Sequence, residues 1–71
     1  MNETEKKMLD YLQSILDDAK EYRLSDDYET GGIAQDIVAG CMGRFGVCAS
    51  MFKAVTGKEV TFRAWKVIVE E

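Results

Sequence analysis

Between residues 33 and 56 the chain reads IAQDIVAGCMGRFGVCASMFKAVT, and its apolar positions recur at helical spacing. Val38, Cys41, Phe45, Cys48, Phe52 and Val55 follow one another in alternating steps of three and four, which places them on one face of a 3.6-residue helix as a core stripe. A second set, Gly40, Gly43, Val47, Ser50 and Ala54, lies one residue back and occupies a neighbouring face nearly bare of side chain. Only Asp36, Arg44 and Lys53 are charged over the whole span, too few to cover the polar side of a monomeric surface helix. The pattern therefore predicts a long helix over 33–56, buried on more than one side.

The flanking segments organise around it. Met8, Leu12, Ile15, Leu16, Ala19 and Tyr22 form an apolar stripe that predicts a first helix over 3–23, with Asn2 as its N-cap and Glu5 at the third helical position. Leu24 to Gly32 carries turn chemistry long enough to bring the second helix back antiparallel on the first, with Thr30 in the N-cap region and Gly57 ending the second helix. The segment VTFRAWKVIV is rich in β-branched and aromatic residues, yet taken as one strand neither face is cleanly apolar. As a helix it gathers Arg63, Lys66 and Glu70 on one arc, with Thr61 as N-cap and Val60 and Trp65 as a hydrophobic staple, so a third helix over 61–70 is expected. The expected fold is one all-α domain, residues 1–71, built as a three-helix bundle.

Three glycines inside the central helix, Gly40, Gly43 and Gly46, cost about 3 kcal/mol relative to alanine, which close approach of another backbone would offset. A 71-residue chain also has a core of marginal size. Cys41 and Cys48 lie seven residues apart on a helix, about 10 Å between Cα atoms and too far for a bridge, and there is no histidine to complete a zinc site. Homo-oligomerisation through Gly40, Gly43, Val47, Ser50 and Ala54 is the remaining support. Two unpaired thiols and the polar start MNETEKK suit the cytoplasm, and uninterrupted apolar runs are too short to span a bilayer, so no membrane association is expected.

Charge is uneven. Residues 1 to 31 carry nine acids and four bases, net −5, whereas residues 32 to 71 carry four acids and five bases, net +1. Asp17, Asp18, Glu21, Asp26, Asp27 and Glu29 concentrate the negative field, which repels nucleic acid and attracts a basic protein surface. Asp17, Asp18 and Glu21 also match half of the E-E-x-x-E magnesium motif of MazG-like nucleotide pyrophosphohydrolases, with aspartate for two glutamates, but no E-x-x-D half follows. No metal or other cofactor is expected. The thiols read as small core residues, since nothing nearby would hold a thiolate. Arg44 is the candidate anion contact, its planar donors suited to phosphate, against the plainer alternative of a salt bridge to an acid of helix 1 or of another subunit. Met42 and Met51 lie off the core stripe and suit an adaptable contact surface.

The run Phe45 to Ala64, FGVCASMFKAVTGKEVTFRA, resembles the end of small phage-encoded all-helical proteins of unknown function, in which a Gly-x-Glu-[Ile/Val]-Thr turn joins two helices. Phe62 stands where those proteins often have proline. The resemblance implies a helix-turn-helix at Gly57 to Thr61 and a phage or prophage origin, and it transfers no site residue. Three functions follow in order of preference. The first is a non-enzymatic, acidic accessory protein that inhibits a host or defence protein by occupying its basic surface. The second is an oligomer holding a small anionic ligand such as a nucleotide. The third is a MazG-like hydrolase.

Overall fold

The computed structural model describes residues 2–26 and 28–70. Its elements run α1 (Glu3–Arg23), α2 (Ile33–Thr56), β1 (Glu59–Arg63) and β2 (Lys66–Glu70). The two helices lie where the periodicity places them, and the third does not exist. Residues 59–70 form a two-stranded antiparallel hairpin, so the all-α three-helix bundle and the helix-turn-helix at Gly57 to Thr61 are both corrected.

Local chemistry sets the helix ends. The Asn2 side chain accepts a hydrogen bond from the Glu5 amide at 2.8 Å, satisfying one of the free donors of the first turn. At the far end of α2, Gly57 adopts φ 77° and its amide bonds the Lys53 carbonyl at 2.7 Å, a conformation that favours glycine. Gly32, not Thr30, is the N-cap of α2, and no side chain caps it.

α1 packs on α2 through Leu12, Ile15, Leu16 and Ala19 against Cys41, Phe45 and Phe52, all buried. Thr4 and Met8 at the start of α1 sit beside Cys48 and Met51, so the helices run antiparallel. Within the expected stripe Cys48 is half-buried and Val55 is 68% exposed. Val55 is corrected out of the core, whose centre follows Ala34, Val38, Cys41, Phe45 and Phe52 around the helix and leaves Val55 about a fifth of a turn aside. The molecule measures 41 × 17 × 16 Å, close in length to the ~36 Å of a 24-residue helix, so α2 runs nearly from end to end.

The hairpin explains the failed alternation. Its register pairs Val60 with Val69 and Phe62 with Val67, closing on Arg63 with Lys66. Cross-strand partners share a face, so Val60, Phe62, Val67 and Val69 lie together toward the helices, and Glu59, Thr61, Arg63, Lys66, Ile68 and Glu70 lie on the other. The two-residue loop turns even positions into odd ones, which makes an unbroken-strand pattern look mixed. That loop is Ala64–Trp65, both at positive φ (50° and 64°), the backbone signature of the type I′ turn. It carries none of the glycine or asparagine that normally marks such a turn.

Gln13 supplies the missing support. Its Oε1 accepts from the Val67 amide at 3.0 Å and its Nε2 donates to the Trp65 carbonyl at 2.9 Å. With Arg63 and Lys66 as the turn-closing pair, the Val67 amide points away from β1, and without α1 it would meet only solvent. Phe62 then stands edge-on to Phe45, with ring centroids 5.2 Å apart, and stacks on Trp65 at 6.1 Å. An ion pair between Lys58 and Glu5, 3.3 Å and mostly shielded, ties the α2–β1 turn to the start of α1.

Candidate interaction surface

The side of α2 opposite its core stripe is open. Gly40, Gly43, Val47, Ser50 and Ala54 are all exposed, and a Cβ built on Gly40, Gly43 or Gly46 would meet nothing within 4 Å. The chain itself covers one side of α2, so burial of a second side, and any return on the glycine penalty, would have to come from outside it. Ile33, Val47 and Met51 are 72%, 63% and 58% exposed along this face, and sequence reasoning missed Ile33 there. The signal was present, because Ile33, Gly40, Val47 and Ala54 stand seven residues apart, the step that keeps side chains on one seam.

By length and composition alone α2 is long and apolar enough to cross a membrane: its most apolar 18-residue stretch has a mean hydropathy of 1.2, and 22% of that stretch is buried within the chain. Counting uninterrupted apolar residues hid this, since glycine, alanine and scarce charge carry the hydropathy. A groove of about 390 Å³ flanks the open face, lined by Met8, Tyr11, Leu12, Cys48 and Met51, with Thr4 and Lys7 completing it. Met51 suits such a surface because its flexible thioether fits irregular partners.

Arg44 is exposed beside these glycines. One guanidinium nitrogen donates to the Cys41 sulfur at 3.3 Å, and Arg44 forms no ion pair with a described residue, so the salt bridge to an acid of α1 is absent among them. Asp36, two turns earlier on the same open side, is likewise without an ion pair among the described residues. Cys41 is buried, Cys48 half-buried, and both thiols are free.

The acids occupy a separate end of the molecule. Asp17, Asp18, Glu21, Asp26 and Glu29 are exposed on the last turns of α1 and the following loop, whereas Asp27 lies outside the described residues. Asp17 accepts from Gln13 Nε2 at 3.0 Å, which gives it a structural task beside the hairpin anchor. Arg23 lies over the Tyr28 ring at 4.3 Å, and a shallow concavity joins it to Leu24, Ser25, Asp26 and Glu29. Among the described residues no three His, Cys, Asp or Glu side chains converge as a metal site, so Asp17, Asp18 and Glu21 are not brought together with the second carboxylate set a MazG-like centre needs. The hydrogen bond and charge of Lys53, 2.6 Å away, hold the Glu59 carboxyl below its usual 4.5.

Neither the helix-and-hairpin fold nor the comparisons support a viral origin or an inhibitory role. Compared with known proteins, the chain matches no family model, no curated protein and no solved structure.

Proposed function

We propose that the chain is a protein-binding module, working through the outer face of α2 and oriented by the acidic end of α1. The observation that carries this is the pairing of an apolar helix with an uncovered face: exposed Ile33, Val47 and Met51, and three glycines with open space beside them. Apolar side chains left in water forgo about 1.5–3 kcal/mol each on full burial, and a covering chain recovers that together with the glycine cost. The acids of α1 and its loop add a field that speeds encounter with a basic partner and weakens as salt is added.

The test combines two surface variants. Val47→Lys with Met51→Lys changes only exposed positions, so the fold should survive and association through α2 should be lost, measured by light scattering and by binding to an isolated partner. Asp26→Asn with Glu29→Gln should slow association with a basic partner and flatten its salt dependence without changing the melting temperature. A folded double-lysine variant that associates as well as the parent would refute the proposal. Arg44, exposed and without an ion pair among the described residues, supports a second reading as an anion contact. Saturable binding of inorganic phosphate or a nucleoside triphosphate, lost in Arg44→Ala, would favour that reading.

A further inference from the structure

We infer that the occupant of the open α2 face is α2 of a second copy, lying antiparallel and crossing near Gly40, with Asp36 of each copy paired to Arg44 of the other. The inference rests on the apolar binding role proposed for this face and names its partner; a second copy, itself of net charge −4, is held by that face and is not drawn in by the acidic end of α1.

Charge decides the direction. Asp36 and Arg44 are the charged residues of this open side, and neither has an ion pair among the described residues. In a parallel two-fold pair each would face its own copy, opposing like charges across the seam. In an antiparallel two-fold pair, a residue faces the position equally far on the other side of the crossing point. Asp36 and Arg44 stand four residues either side of Gly40, so a crossing there satisfies both charges twice.

The same register satisfies the apolar positions. Ile33 and Val47 lie seven residues either side of Gly40, so the two exposed side chains meet across the seam. Ile37, partly buried, comes opposite Gly43, where the missing side chain leaves room. Gly40 itself sits at the crossing, where two backbones approach most closely and a side chain would hold them apart. Met51 and Val55 extend past the start of the other copy's α2, toward a loop whose Leu24 is 69% exposed. The hairpin does not obstruct this arrangement, because β1 lies beside Ala49, Ser50 and Lys53 and leaves the first half of α2 clear. The interface is the same patch on both copies, so the assembly closes at two. A bilayer is a poor occupant of this face, since Asp36 and Arg44 would enter it unpaired.

The experiment is a charge swap read by light scattering over a concentration series, with circular dichroism confirming the fold of each variant. The parent should have twice the 8.0 kDa chain mass. Asp36→Arg and Arg44→Asp each place two like-charge pairs across the seam and should weaken the dimer about tenfold. The variant carrying both changes restores opposite charges with their positions exchanged, and should return to within about threefold of the parent. A parent that stays at 8.0 kDa at its highest concentration overturns the inference, as does a double swap no stronger than the single variants. If Val47→Lys with Met51→Lys still abolishes association in that last case, the binding face stands and only this pairing falls. Protection of α2 from protease by phosphatidylcholine–phosphatidylglycerol vesicles, with a monomeric parent in solution, also overturns it and makes the bilayer the occupant.

Discussion

Replacing Gln13 with alanine should release the hairpin from the helices. The side chain is partly buried and makes two bonds to the turn, accepting from the Val67 amide and donating to the Trp65 carbonyl. Each is worth about 0.5–1.5 kcal/mol net, and partial water access after truncation limits the penalty, so a loss of about 2 kcal/mol is expected. A 71-residue domain has a total stability of roughly 4–10 kcal/mol, so this is a large fraction. It corresponds to a fall in melting temperature of about 8–16 °C. An isolated two-stranded hairpin is marginal in water, so its unfolding should precede that of the helices. Trp65 is the single tryptophan and sits in the turn, which makes its fluorescence a hairpin probe, while helical circular dichroism follows α1 and α2. In Gln13→Ala the fluorescence transition should move to lower temperature than the helical one, and the Val67 amide should lose protection from hydrogen exchange. Protein concentration must be held constant, because association shifts the melting temperature by mass action. A Val67 amide as protected as in the parent, or a fall under about 3 °C, would refute the argument.

Gly46→Ala should stabilise the folded chain by about 0.5–1 kcal/mol, because its Cβ meets nothing within 4 Å, and a lower melting temperature in dilute solution would contradict this. Ala64→Asn should raise stability by about 0.5 kcal/mol, since asparagine tolerates the positive φ that alanine adopts there, as thermal melts will show. Cys41→Ala should cost about 1–2 kcal/mol and Cys48→Ala less, because only Cys41 is fully buried; equal losses in urea unfolding would contradict the packing. Glu59 has its folded pKa lowered by Lys53, so its contribution is present above the unfolded value of 4.5 and is lost as pH falls through the lowered folded value. Glu59→Gln should flatten the stability profile below pH 4.5 and leave the slope above it unchanged.

The interactions that form α1 and α2 act within a few residues of one another, and for that reason both helices were legible from residue order alone. The apolar stripes at steps of three and four, the Asn2 side chain bonding Glu5 three residues on, and Gly57 closing α2 are all short-range features. The sparse charge and three glycines of α2 likewise marked it as unlike an ordinary surface helix. The hairpin lay beyond that range. A turn of Ala64–Trp65 has no local preference for positive φ, and it holds that shape against Gln13, 52 residues from Trp65 in the chain, and the ring of Phe62. Only where the chain reverses does the apolar set Val60, Phe62, Val67 and Val69 come onto one face, so no single period along the sequence could display it. Which side of α2 faces α1 was legible as the stripe bearing Phe45 and Phe52, and the tertiary structure decided that the other stripe stays uncovered within the chain. Of the two stripes, on opposite sides of that helix, α1 takes the one bearing Phe45 and Phe52, because large side chains bury more apolar surface than glycine, serine and alanine can.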